Sequence, residues 1–164
     1  MALEVGSNPM EMDAIAQRLA AGFGASLRHV RVQEPDTVVA HCDAAALKEV
    51  ARRLKGEREV GYETLNFVAG VDRLETLESV YHLYSWKTNT YLELHVTLSR
   101  ERAEVETVCD VWPAADWHER EAWDMFGIVY LGHPDLRRIL LKDDFVGHPL
   151  RKDYIDLIEN HPHV

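Results

Sequence analysis

From residue 9 the apolar positions recur with a helical period. Asn8-Pro9-Met10-Glu11 sets a capping side chain, a proline suited to the first helical position and a glutamate at the third. Met12, Ile15, Leu19 and Phe23 follow at helical spacing, and Gly22 and Gly24 supply a stop, so the pattern predicts an amphipathic helix over 9–22. The period then becomes that of a strand. Val30 and Val32 alternate with His29 and Arg31, and the β-rich Thr37-Val38-Val39-Ala40-His41 follows Glu34-Pro35-Asp36, which predicts a hairpin. Asp43 is placed to cap a second helix, with Leu47, Val50, Ala51 and Leu54 on one stripe and an end near Gly56.

Three more strand patterns cover 65–71, 79–86 and 91–98, the last two joined by the turn Lys87-Thr88-Asn89-Thr90. In the last strand Leu92, Leu94, Val96 and Leu98 face one way and Tyr91, Glu93, His95 and Thr97 the other, so one side of the sheet is apolar and the other wet. Strands in consecutive runs with helices set apart predict an α+β fold, a mostly antiparallel or mixed sheet with helices packed on one face. Farther on, Asp116 as N-cap and Glu119 at the capping-box position predict a three-turn helix ending at Gly127. Beyond it Gly132, Pro134, Gly147, Pro149 and Pro162 interrupt any long regular element. The expected organisation is an α+β domain over 1–127 and an extended C-terminal arm over 128–164, lying partly on its own domain and partly on a partner.

Composition narrows the functional classes. With 18 Lys plus Arg against 28 Asp plus Glu the net charge is −10, opposite to the balance of a free-standing nucleic-acid binder. No apolar run reaches the roughly 18 residues of a membrane span, and Met1 to Asp13 does not read as a secretory signal. Cys42 and Cys109 are too few and too far apart for a disulfide framework or a metal knuckle, and read as buried or half-buried thiols in a reducing compartment.

Reactive motifs are scarce. Gly22-Phe23-Gly24 follows a helix and lacks a third glycine, so it reads as a helix stop and not as a dinucleotide turn. His133 and His148 each precede a proline, without ligand-pair spacing, and read as structural hydrogen-bonding groups, while His161-Pro162-His163 reads as a solvated tail. Two cysteines cannot hold an iron–sulfur cluster unaided. Glu119, Ala122, Trp123 and Phe126 share one helix face, so either Glu119 closes a capping box at the surface or it is buried and takes a cation, with Arg137 and Arg138 nearest in sequence. Glu121 and Asp124, beside Arg120, make a charge-laced docking face. Residues 133–154 hold five cations (Arg137, Arg138, Lys142, Arg151, Lys152) against Asp135, Asp143, Asp144 and Asp153, a charge of +1 on a remainder of −11. Leu136, Ile139, Leu140, Leu141, Phe145 and Leu150 are interleaved among them, a pattern that suits docking on a carboxylate-rich neighbour.

Glu119-Arg120-Glu121-Ala122-Trp123-Asp124-Met125-Phe126-Gly127-Ile128, Gly132-His133-Pro134-Asp135-Leu136-Arg137-Arg138-Ile139-Leu140 and Gly147-His148-Pro149-Leu150-Arg151-Lys152-Asp153-Tyr154 closely resemble the 30 kDa subunit family of respiratory complex I, the NADH-quinone oxidoreductase. Phe67-Val68-Ala69-Gly70-Val71-Asp72 and Val80-Tyr81-His82-Leu83 resemble its sheet region, so the likeness spans about residues 60–155. Lys142 departs from it, where the family often carries proline. The resemblance implies a non-catalytic subunit of the hydrophilic arm, packed on the 49 kDa-type subunit beside the quinone site, on the cytoplasmic side of the cell membrane. It implies no cofactor in this chain; FMN and iron–sulfur clusters sit in partner subunits of a complex that moves electrons from NADH to quinone with proton translocation. Glu119, Arg120, Glu121, Asp124, His133, Asp135, Arg137, Arg138, His148, Arg151, Lys152 and Asp153 are the expected subunit-interface residues. Rival readings are the equivalent subunit of a membrane-bound nickel–iron hydrogenase or a ferredoxin- or deazaflavin-linked complex, and, in another class, a stand-alone metal-dependent hydrolase using Glu119, Asp124 and His133.

Overall fold

The computed structural model describes residues 9–156, and their side chains from Met12 onward; Asn8 and the 161–163 tail lie outside the described residues. Five strands form a mixed sheet in the order β1-β2-β5-β4-β3, from β1 (Leu27–Gln33), β2 (Thr37–Cys42), β3 (Thr64–Asp72), β4 (Thr76–Ser85) and β5 (Thr90–Ser99). The β1–β2 hairpin, β3–β4 and β4–β5 are antiparallel, and β2 lies parallel to β5. That parallel pair places the first hairpin beside the last strand, a juxtaposition the local pattern does not contain. The helices are α1 (Pro9–Phe23), α2 (Leu47–Gly56) and α3 (Ala115–Phe126).

Register explains the layering. Val38, Ala40 and Cys42 lie opposite Leu92, Leu94 and Val96, which in turn lie opposite Leu83, Tyr81 and Ser79. This face joins Met12, Ile15 and Leu19 of α1, Leu47, Val50 and Leu54 of α2, and Ala115 and Ala122 of α3 in one core cluster. The alternation expected in β5 is thus present, and all three helices cover the apolar face. The other face carries His41, His82, Tyr91, Glu93 and His95, with ring contacts between His41 and His95 at 5.0 Å and between His82 and Tyr91 at 5.0 Å. Arg53 of α2 sits over the Phe23 ring at 4.4 Å and donates to the Gly22 carbonyl at 2.6 Å, so the end of α1 is held by a cation.

Two expected caps are not made. Asp43 precedes a 3-10 turn (Ala44–Ala46) that leads into α2; its side chain pairs with Arg28 and makes no cap bond. Asp116 is not the N-cap of α3, which starts one residue earlier after Ala114, with no side-chain cap. The chain enters α3 through successive turns, in which Trp112 N–H bonds Val108 O and Ala115 N–H bonds Trp112 O. Backbone carbonyls already serve the entering N–H groups, so no side-chain oxygen is needed.

Within the stretch read as arm, Ile128 and Tyr130 are fully buried, and β7 (Val129–Leu131) pairs in parallel with β6 (Glu104–Glu106). Tyr130 Oη is 2.9 Å from Ser79 Oγ of β4 inside the core. From Gly132 onward the described chain has no helix or strand.

Candidate functional site

The irregular arm wraps the C-terminal end of α3, and the reason begins with that helix's last carbonyls. A helix leaves its final four C=O groups without intrahelical donors and concentrates negative potential there. Gly127, left-handed at φ 71°, returns its N–H to Trp123 O at 2.8 Å. The other three carbonyls accept from the arm: Asp124 O from His148 Nδ1 (3.0 Å) and Arg138 Nη1 (3.3 Å), Met125 O from Leu150 N–H (3.1 Å), and Phe126 O from Arg151 Nε (2.6 Å). A Cβ at Gly127 would stand 2.6 Å from the His148 ring and 3.1 Å from Arg151, so that glycine serves both the cap and the close approach of the arm.

Asp124 is the centre of this arrangement. It is fully buried; Oδ1 accepts from Arg138 Nη1 at 2.6 Å, and Oδ2 accepts the N–H groups of Ile139 (3.1 Å), Leu140 (2.9 Å) and Leu141 (3.0 Å). Burial alone would push its carboxyl up. The Leu141 N–H, the Arg138 guanidinium and the N–H groups of Leu140 and Ile139 outweigh that, and the net shift is downward. Arg138 also donates to Phe145 O (2.8 Å) and Gly147 O (3.1 Å), and Trp123 and Phe145 rings lie 5.5 and 5.8 Å from its guanidinium. Arg120, also buried, donates to Arg137 O and Arg138 O at 3.2 Å each.

A second tie joins the arm to the end of β3. Arg100 pairs with buried Asp72 at 2.7 Å and with Asp153 at 2.6 Å, while Lys152 N–H donates to Asp72 Oδ2 at 2.8 Å. The guanidinium of Arg100, with the Lys152 and Leu74 N–H groups, holds the Asp72 carboxyl well below its usual range despite burial.

Glu119 lies on the other side of α3 and differs from both sequence expectations. It is fully buried, not a surface cap, and takes neither Arg137 nor Arg138: Arg138 serves Asp124, and Arg137, exposed, pairs with Asp135 at 2.8 Å. Glu119 instead accepts from Thr107 Oγ1 (2.5 Å), Val108 N–H (2.9 Å) and Cys109 Sγ (3.3 Å). Burial raises its pKa, and those three donors and His133 only partly oppose the rise. Its donors come from a segment no helix or strand pattern marked.

Cys109, Glu119 and His133 bring potential ligand atoms within 4.8 Å of one another. Each of the three already has hydrogen-bond partners. His133 Nδ1 accepts the Asp135 N–H at 3.0 Å, which leaves the proton on Nε2, where it points to Asp116 O at 3.2 Å. Burial pushes the Cys109 thiol up to about 12, and that thiol donates to Glu119. Cys109 and Glu119 are thus hydrogen-bonded to each other, with His133 Nε2 4.0 Å from Glu119. His133 and His148 both hold backbone, as the sequence suggested.

Of the twelve residues singled out in the sequence, Asp124, Arg138, His148, Arg151, Lys152 and Asp153 take part in the α3–β3 ties; Arg120 holds the backbone at 137–138. Glu119 and His133 form the separate cluster; Glu121, Asp135 and Arg137 are exposed. Asp72 and Arg100 are site residues that sequence spacing does not link. Exposed apolar side chains remain along the outer arm at Leu140 (62%), Val146, Leu150 (53%) and Ile155, among exposed Arg137, Lys142 and Lys152 and exposed Asp135, Asp143, Asp144 and Asp153.

Residues 40–158 match the sequence model of the family described as respiratory-chain NADH dehydrogenase, 30 Kd subunit. The C subunit of NADH-quinone oxidoreductase from Methylobacillus flagellatus is 40% identical over 87% of this chain and 77% of its own length, and that of Azoarcus sp. BH72 is 37% identical over 88% and 76%. Among solved structures, a trypsin-resistant fragment of Nqo5 superposes with a TM-score of 0.63 at 25% identity, covering 77% of this chain and all of the fragment. A chain of the membrane-bound sulfane sulfur reductase, an archaeal respiratory membrane complex, shares the fold at a TM-score of 0.78 and 21% identity, over 91% of this chain and 88% of that one.

Proposed function

Because this chain belongs to the 30 kDa subunit family of the respiratory-chain NADH dehydrogenase, we propose that it is a structural subunit of the peripheral part of NADH-quinone oxidoreductase, docked through its C-terminal arm on a 49 kDa-type subunit at the cytoplasmic side of the membrane. The observation that carries this is the two-sided arm. Its inner side is pinned by Asp124–Arg138, by Arg100–Asp153 and by the Lys152 N–H on Asp72, while its outer side presents leucines among charges of both signs to whatever lies beyond. A monomer gains nothing from an exposed apolar strip of that kind, and a neighbour with apolar groups and complementary charges buries it.

The three residues a stand-alone hydrolase would use are already engaged. Both Asp124 oxygens have donors, both His133 ring nitrogens bond backbone, and Glu119 is enclosed by Thr107, Val108 and Cys109. This supports a subunit whose chemistry is done elsewhere in the complex, by FMN and iron–sulfur clusters of its partners, over a self-sufficient hydrolase. The equivalent subunit of a related membrane-bound complex is a second reading, favoured by the fold shared with the sulfane sulfur reductase chain. Identities of 37–40% with NADH-quinone subunits, against 21% there, favour the first.

The test is Leu140→Asp and Leu150→Asp, each expressed in place of the native subunit. Both side chains are exposed, so the isolated fold is kept. The expected result is at least a tenfold loss of the subunit from the assembled complex on native gels, about 1.4 kcal/mol or more of interface energy. Incorporation at the level of the unsubstituted chain overturns the docking reading.

A further inference from the structure

The two edges of the sheet are built differently. The β1 edge carries Arg28 and Arg31, and its register shifts between them, the devices that keep an edge from pairing. The β3 edge, on the opposite side, is uncharged and free of proline from Thr64 to Val71, and after one register shift between Leu65 and Phe67 its pairing with β4 runs without a break to Asp72. Among the described residues, 66–71 make no backbone hydrogen bond outside the ladder with β4. Every second residue therefore turns an N–H and a C=O outward with no partner.

Beside that edge runs a groove of about 410 Å3 with β3 as one wall and α3 as the other. Its apolar lining includes Val68, Ala122 and Met125, with Leu150 of the arm at hand, while the Phe67 ring stacks on His82 across the other face of the sheet. Gly70 allows the walls to approach, since a Cβ there would stand 2.4 Å from the Phe126 ring. The rim on the helix side holds Glu121, exposed and without any hydrogen bond or ion pair among the described residues. An edge strand and a helix enclosing an apolar groove is the geometry in which an extended peptide adds as a further strand, with backbone bonds giving affinity and alternate side chains entering the groove.

We propose that the β3 edge and its groove against α3 form a strand-addition site for an extended segment of a neighbouring subunit, with alternate apolar side chains facing the groove and a lysine or arginine beside Glu121. The cation follows from the charge of the rim: an unpaired carboxylate on a chain of net charge −10 selects a basic segment. This deepens the proposed function and rests on it, since it names a second contact of the same subunit beyond the arm.

The experiment is amide hydrogen exchange on the full chain, alone and within the purified complex, read at β3 and separately at residues 139–153. The site predicts at least 100-fold slower exchange at the outward amides of 67–71 on assembly. Slowing confined to the arm overturns the strand-addition site and leaves the docking reading standing; slowing at neither place removes both. Protection of 67–71 that grows with the concentration of the lone chain assigns the edge to a second copy and also overturns the proposal. Glu121→Lys supplies an independent reading, because the side chain makes no hydrogen bond or ion pair among the described residues. At least tenfold weaker retention in the complex is expected, with exchange in β5 unchanged, and retention equal to the unsubstituted chain refutes the basic partner.

Discussion

Replacing Asp124 by Asn changes one atom in a fully buried group and sets two demands against each other. The carboxylate receives a guanidinium at one oxygen and three backbone N–H groups at the other. An amide has one acceptor atom. If its NH2 faces Arg138, donor meets donor; if it faces 139–141, three N–H groups lose their acceptor. In either orientation Arg138, only 12% exposed, keeps its carbonyl acceptors but has no anion. Breaking a buried pair on one side costs about 3–5 kcal/mol, and at about 1.4 kcal/mol per decade the lower figure is roughly a hundredfold. The loss should fall on the arm and not on the sheet, because this pair joins 138–141 to the end of α3 and no core strand depends on it. Hydrogen exchange of the isolated Asp124→Asn chain should show amides 139–141 opening about 100-fold faster, with β5 unchanged. Protection at 139–141 within about threefold of the unsubstituted chain refutes the anchor. The pH dependence has a definite sign. Because the folded Asp124 pKa is depressed, its stabilisation is complete above the ordinary carboxylate value and is lost only as pH falls through the lower folded value, so arm protection persists at neutral pH and collapses below about pH 4.

Glu119 carries the opposite sign: its raised pKa means stability declines as pH climbs from the usual glutamate value through the folded one, so Glu119→Gln should flatten that decline in thermal melts at a cost of about 1 kcal/mol or less at low pH. A steeper decline in the variant contradicts the assignment. Gly70→Ala drives a methyl group into the Phe126 ring and should cost about 1–3 kcal/mol, seen as a fall in Tm of roughly 2–10 °C; an unchanged Tm means the ring yields freely. Arg100→Ala leaves buried Asp72 with only backbone donors, so its pKa returns toward the normal range and acid unfolding should begin at a higher pH, together with faster exchange at Lys152. An acid midpoint that does not move refutes that tie.

Where local pattern decides structure, the sequence was legible. The α1 and α2 stripes, the β1–β2 hairpin and the alternation in β5 follow from side-chain periodicity, and the observed bounds differ by a few residues at most. The parallel β2–β5 pair and the short β6–β7 pair depend on contacts between distant segments, which periodicity does not encode. At the site, the charged residues of the arm were visible as a basic, leucine-rich stretch, yet their partners were not. Glu119 has the spacing of a capping box, but Val108 to Ala115 already turn through backbone bonds, and the freed carboxylate goes inward to Thr107 and Cys109. Asp124 and Arg138 were each picked out, while their pairing needed Gly127 to reverse the chain at the end of α3.

In the function proposed here, the complex needs this chain for its surfaces and not for a reacting group. The most direct measurement is NADH:quinone reductase rate divided by the amount of assembled complex, across Leu140→Asp, Leu150→Asp and Asp124→Asn. The expected result is less assembled complex with an unchanged rate per complex. Normal amounts of complex turning over more slowly would contradict it.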